Sequence, residues 1–265
     1  MSVLSCLAAL ILGAAPALAD DKEALAQAVA KLAEVDSYSF KGETEFQSQF
    51  GNAPPTMPTL DGKYQKDTGL YIKSDKGELF RRGDRVLIKQ GQGEWTDSSQ
   101  FQPPTPPAGG ANRPRPGGGL LGRMMLKNVK PPHEELKDVV KGLKAVKKDE
   151  KTEKIGDVDC TQYTGELTEE AMKSSPLGRL LTQFGGGNAA VSGTARFWVD
   201  TQGNIVIYET VTKATVEFQG NQVDFSLTRR SELTDLGKTK VEVPEAVQKL
   251  LAEKPKPEKS EDKKE

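Results

Sequence analysis

The chain has 265 residues, enough for one large all-β domain or two small ones. Its 37 basic residues almost balance 38 acidic ones, and no basic stripe is interleaved with aromatics. That excludes the electrostatic footprint of a nucleic-acid binder.

Residues 1–19, MSVLSCLAALILGAAPALA, are small and apolar and end in Ala17-Leu18-Ala19. An A-x-A site ahead of Asp20 predicts a secretory signal peptide cut before Asp20, which places the mature chain in the periplasm or otherwise outside the cytoplasm. The run lacks the usual basic start. It is too short, and too broken by Pro16, to serve as a membrane anchor. Cys6 precedes the apolar run rather than following it, which argues against lipid attachment there. No later stretch approaches the length of a span, so the mature protein is expected to be soluble and not membrane-spanning. Cleavage leaves Cys160 as the only thiol and no internal disulfide. Stability must then come from an ordinary core.

From Asp20 to Glu34, Leu25, Val29 and Leu32 recur at helical spacing with alanines between them, which predicts a shallow amphipathic helix. Asp36–Gln49 alternates, with Tyr38, Phe40 and Phe46 on one side and an irregularity expected at Gly42. Residues 51–58 form a loop. Leu60–Lys73 is strand material turning near Asp67–Gly69, and Glu78–Lys89 is a hairpin turning at Gly83-Asp84. A short strand follows near Trp95. Residues 102–119 hold six prolines and five glycines, which deny a sheet its donors and raise the entropy of ordering; a flexible surface loop is expected.

Order resumes at Met124. Pro131-Pro132 precedes a helix in HEELKDVVKGL, with Leu136, Val139, Val140 and Leu143 on one face. Ala145–Glu153 and Asp157–Leu167 form a hairpin turning near Ile155-Gly156. Thr168 caps a helical stretch to Phe184, interrupted at Pro176. Residues 193–233 then read as two consecutive hairpins. With Gln202-Gly203 and Gly220-Asn221 as turns, Phe197 faces Tyr208, Val199 faces Val206, Ala195 faces Thr210, Val216 faces Phe225, Phe218 faces Val223 and Ala214 faces Leu227. All fall on one face, while Arg196, Glu209, Lys213, Glu217, Asp224 and Thr228 take the other. The middle strand spans about 14 residues against a usual 5–6, and strands that long twist into curved sheets or barrels. Pro244–Leu251 makes a short helix. Residues 253–265 carry five basic and five acidic groups and are expected to be disordered.

Chemistry is sparse. His133 is the single histidine and reads as an exposed helix-start residue. No second histidine or mature-chain thiol is available for a tetrahedral zinc site. No nucleophile elbow, phosphate loop or calcium-loop spacing occurs. Cys160 lies in an alternating strand, as a buried small residue does. Trp95 and Trp198 read as core, with a cavity wall as the alternative. A hydrolase using His133 or Cys160 is the weakest reading; a non-enzymatic protein without metal or cofactor is expected.

The leading helix followed by DSYSFKGETEF resembles the opening of the LolA-like lipoprotein carrier superfamily and related exported lipid carriers. So do GELFRRGDRVLIKQGQGEWT, IGDVDCTQYTGELT, RFWVDTQGNIVIYETVT and the closing FSLTRRSELTDLGKTKVEVPEAV. The resemblance covers most of residues 22–252. It implies an α+β fold, mainly β: a curved antiparallel half-barrel whose apolar concave face is covered by helices, in a single domain over 20–252. It also implies non-covalent binding of an apolar ligand such as a lipid or a lipoprotein acyl chain. The Pro/Gly insertion, the charged tail and the helical segment at 168–184 depart from a plain carrier. Candidate lining residues, taken from the inferred apolar face, are Phe40, Phe197, Tyr208, Val216, Phe218, Phe225 and Leu227, with segments 124–143 and 168–184 as lids. The competing expectation is an envelope interaction module whose core is filled by its own helices, with an envelope protein as partner.

Overall fold

A computed structural model describes residues 17–48, 57–100, 129–175, 177–178, 181, 189–218 and 221–253. Most of the expected signal peptide, the Pro/Gly stretch 102–119 and most of the charged tail lie outside the described residues. The strands are β1 (Ser37–Ser48), β2 (Leu60–Gln65), β3 (Gly69–Ser74), β4 (Gly77–Arg82), β5 (Arg85–Gln90), β6 (Trp95–Asp97), β7 (Leu143–Ile155), β8 (Val158–Leu167), β9 (Ala190–Asp200), β10 (Ile205–Phe218) and β11 (Asn221–Thr234). The helices are α1 (Ala17–Glu34), α2 (Pro132–Lys141), α3 (Glu169–Ser174) and α4 (Glu245–Ala252).

All eleven strands join one antiparallel sheet in the order β6-β5-β4-β3-β2-β1-β11-β10-β9-β8-β7. Pairing of β1 with β11 links an N-terminal meander to a C-terminal one. β6 and β7 are the free ends, so the curved sheet is a half-barrel and not a closed one. β7 is exposed along most of its length and rich in lysine and acid. Charge on an edge strand opposes pairing with another chain.

Helices α1 and α2 lie on the inner face. Leu25, Val29 and Leu32 of α1 and Leu136 and Val140 of α2 pack with Tyr38, Leu79, Phe197 and Tyr208 into the main core. Fully burying each such leucine contributes about 2 kcal/mol. The close fit is visible at Gly62, where an added Cβ would stand 2.0 Å from Phe40 Cζ. Glycine there lets the Phe40 ring lie flat across β2. Gly42 pairs regularly with Leu60 and Ser231, so the irregularity expected in β1 does not occur there.

Two registers differ from the sequence reading. Phe197 opposes Tyr208, Ala195 opposes Thr210 and Trp198 opposes Ile207 in the expected register, but Val199 opposes Ile205, leaving Val206 as an extra residue. The cause is a wider turn. Asp200 Oδ1 accepts the backbone N–H groups of Gln202 and Asn204 at 2.8 and 2.7 Å, and Gly203 takes φ +82°. Three residues turn the chain and a bulge absorbs the remainder. In the second hairpin Val216 opposes Val223, Ala214 opposes Phe225, Thr212 opposes Leu227 and Phe218 opposes Asn221. This is a slip of two residues from the expected pairing, and a slip of two leaves every side chain on its face.

The outer face is not uniformly polar. Phe80 and Leu87 pack there with Val241 and with Val247 of α4. Arg85 Nη1 donates to the carbonyls of Leu251 and Glu253 at 3.0 and 2.9 Å, holding the C-terminal end of α4 against the sheet. Across β8–β10, Cys160, Trp198 and Ile207 form a further cluster. Trp198 Nε1 donates to Glu153 at 2.8 Å, and Arg230 lies over its ring at 5.3 Å.

Candidate functional site

The inner face divides along its strands. Phe40, Phe197 and Tyr208 stand at the end filled by α1 and α2, with 7, 0 and 3% exposure. Val216, Phe225 and Leu227 belong to a second cluster with Ala214, Phe46 and Val191. No residue of α1 or α2 joins that cluster; Leu177 and Leu181 cover it. Leu227 is buried, whereas Val216 and Phe225 stay half-buried. Phe218 lies in β10, but its side chain is outside the described residues. The candidate residues whose side chains are described therefore share one face, yet only the second group borders a part of the sheet that α1 and α2 have not filled.

The cover begins at α3. Thr168 Oγ1 accepts the Ala171 N–H at 3.3 Å, capping the helix start. Met172 of α3 reaches β9 where Gly193 makes room: a Cβ there would meet Met172 Sδ at 2.3 Å. Beyond it, Ser175 Oγ accepts the Gly178 N–H at 3.1 Å, and Leu177 and Leu181 turn onto the sheet.

Between the two apolar regions sits a polar belt that the sequence reading missed. Glu135 of α2 reaches down to Arg229 of β11, pairing through Oε1 with Nη1 and through Oε2 with Nη2 at 3.4 Å. Tyr208 donates its hydroxyl to Glu135 Oε2 at 3.1 Å. Side-chain exposure is 27% for Arg229 and 19% for Glu135. The carboxylate beside it raises Arg229's pKa further, and burial, then the Glu135 charge, pushes Tyr208 well above the usual phenol range. Arg229 is therefore charged and the phenol protonated at neutral pH. A cleft of about 20 Å³ opens at this belt, lined by Phe40, Leu60, Glu135, Tyr208, Arg229 and Ser231 among others. Residues 94 apart in sequence make this contact, so no local pattern announces it. A larger hollow of about 420 Å³ lies at the β7–β8 irregularity, bordered by Lys148, Asp149, Glu150, Thr152 and Thr161; its wall is charged and polar.

His133 corrects another expectation. It is half-buried, not exposed, and its ring lies 4.6 Å from that of Tyr64. The buried Tyr38 hydroxyl shares a hydrogen bond with His133 Nδ1 at 2.7 Å and accepts the His133 backbone N–H at 3.4 Å. Burial lowers the imidazole pKa, against a smaller upward pull from Glu134. Cys160 is fully buried, with its thiol pKa raised by burial. Trp198 is on the outer face and lines no inner cavity. Among the described residues, no group of three or more His, Cys, Asp or Glu side chains could hold a metal ion, and no helix is long and apolar enough to cross a membrane.

No sequence-family model matches the chain, and no curated protein is significantly similar to it. Among solved structures it is similar to lipoprotein LppX of Mycobacterium tuberculosis, with 12% identity over 85% of this chain and 99% of that one and a TM-score of 0.44. It is similar to LprF of Mycobacterium bovis at 9% identity over 86% and 97%, TM-score 0.43. A LolA superfamily protein of Nitrosomonas europaea matches at 8% identity over 82% and 94%, TM-score 0.29. The half-barrel assignment rests on this chain's own strand order and register.

Proposed function

We propose that this protein is an extracytoplasmic binding protein that holds an apolar ligand, a lipid or the acyl chain of an acylated protein, non-covalently against the inner face. The observation that carries the reading is the apolar strip of Ala214, Val216, Phe225, Leu227 and Phe46, which α1 and α2 leave to Leu177 and Leu181. The sequence resemblance to LolA-like carriers and the signal-like N-terminus point the same way. Magnitudes permit an exchange. Returning two leucines to water costs about 4 kcal/mol, and burying an acyl chain contributes about 0.8 kcal/mol per methylene. About six buried methylenes therefore outweigh the cover. Native mass spectrometry and lipid extraction of the purified protein test the reading, together with uptake of a fluorescent acyl probe. Protein that emerges ligand-free and takes up no probe would overturn it.

The tight closure under α2, with a cleft of only about 20 Å³, favours a second reading: a self-filled module that docks an envelope protein. There the loop at 102–119 or the tail at 253–265 would dock the partner, and deleting those segments would abolish partner capture while leaving the fold unchanged.

A further inference from the structure

What head group would such a ligand carry? The inner face offers a specific answer at Arg229. Its neighbours across the sheet are Thr210 on β10 and Thr44 on β1, both short side chains. Leu227 and Phe225 follow on the same face of the same strand, leading into the apolar strip. Tyr208 and Ser231 flank it on the other side. A cation at the head of a greasy trough needs an anion beside it, because a partly buried charge without a partner is strongly destabilising.

Glu135 supplies that anion from a helix that does not depend on it. Leu136 and Val140 seat α2 in the main core. Arg81 pairs with Glu134 at 3.6 Å, and His133 bonds Tyr38. The Glu135 side chain can therefore swing away while α2 stays in place. The cleft beside it, at about 20 Å³, admits one group near the size of a water molecule. A ligand carboxylate has the size of the one that Glu135 would vacate and matches the two-pronged guanidinium, with the Tyr208 hydroxyl as an additional donor. A glycerophosphate is bulkier than the group that Glu135 would vacate.

We propose that the trough binds a long-chain fatty acid by its carboxylate, with Arg229 and Tyr208 as the receiving groups and Glu135 as the internal carboxylate that the ligand displaces. This rests on the inner face being a ligand site. The test compares palmitate with monopalmitoylglycerol, which share a chain and differ in charge, and adds palmitoyl lysophosphatidate. Isothermal titration of the full chain should show palmitate binding about tenfold or more tighter than monopalmitoylglycerol, the size of one charge-assisted hydrogen bond. Glu135→Gln should tighten palmitate further while leaving monopalmitoylglycerol within about threefold. Arg229→Gln, made in the Glu135→Gln background so that no lone carboxylate is left buried, should erase the preference for palmitate. Equal binding of palmitate and monopalmitoylglycerol to the unmodified chain, a preference for lysophosphatidate, or a palmitate preference that survives the double variant overturns the inference while ligand binding itself stands. Failure of all three lipids to bind overturns the ligand reading as well.

Discussion

Leu177 and Leu181 allow the cover to be separated from the core. They are 1 and 6% exposed, so by burial alone they resemble core leucines. Truncating a leucine to alanine in a close-packed core costs about 2–5 kcal/mol, and two would cost about 4–10 if the segment unfolds only with the whole protein. A cover that releases independently behaves differently, because the variant can lose no more than the docking free energy of that segment. Two leucines contribute about 4 kcal/mol by apolar burial, and fixing five backbone residues opposes this by about 1 kcal/mol or more each. The two terms nearly cancel, so net docking is close to zero. Leu177→Ala/Leu181→Ala should lower the global unfolding free energy by about 2 kcal/mol or less, whereas Leu136→Ala or Leu79→Ala alone should cost about 2–5. Urea unfolding followed by Trp95 and Trp198 fluorescence measures both. The double variant should also take up a fluorescent acyl probe faster than the unmodified chain. A loss equal to two core truncations, with no gain in uptake, would show that 177–181 is core and not cover.

Gly62→Ala should destabilise by about 1–3 kcal/mol through overpacking, since the new methyl would stand 2.0–2.5 Å from three Phe40 ring carbons. Its effect should shrink in a Phe40→Leu background, measurable as coupling in a double-mutant cycle. His133 should impose an acid-side pH dependence. Burial lowers its folded pKa below 6.5, so the unfolded chain binds the proton first and stability falls as pH drops through about 6.5. The loss levels off below the folded pKa. Tyr38 and Tyr64 face the ring from the sheet; Glu134 and Lys137 are the charged groups of α2 that act on it. His133→Gln should flatten this slope in urea melts taken between about pH 5 and 8. Ending the chain before Val241 should expose Phe80 and Leu87, both now fully buried, and raise binding of an apolar dye. Arg85→Ala should cost about 2–3 kcal/mol, because it removes the hydrogen bonds to the α4 end and also leaves the Asp97 carboxylate without the guanidinium 3.1 Å away.

Much of the sheet was legible because period-two alternation survives local error. The β10–β11 pairing was misjudged by two residues, yet Ala214, Val216, Phe225 and Leu227 stayed on the inner face. The bulge at Val206 was harder, since a two-residue Gln-Gly turn and a three-residue turn braced by Asp200 both suit DTQGN. A signal for two-sided burial was present and went unused. Val86-Leu87-Ile88 and Phe197-Trp198-Val199 are continuous apolar runs, and such a run leaves no polar face for solvent. The outer clusters around Leu87 and Trp198 follow from that. His133 read as exposed because its helix position says nothing of Tyr38 and Tyr64, which arrive from β1 and β2. The Glu135–Arg229 pair depends on how α2 crosses β11, a tertiary fact with no local periodicity.

That crossing also explains how the two halves of the inner face can differ in behaviour. A buried ion pair adds little net stability, because desolvation offsets most of the Coulombic attraction. Replacing Glu135 and Arg229 with apolar residues would let the main core run on continuously into the strip at Leu227. The charges instead interrupt it along β10 and β11, where the core stops at Tyr208; on β9 the two clusters still meet through Val191, and the strip takes its cover from Leu177 and Leu181. A half-barrel divided in this way keeps its stability in the α1–α2 end, where leucines of both helices are fully buried. It can then exchange contacts at the other end without unfolding. Under the proposed ligand-binding reading, a protein that folds before it meets its ligand and stays folded after release requires that separation, and the polar belt on β10 and β11 is its boundary.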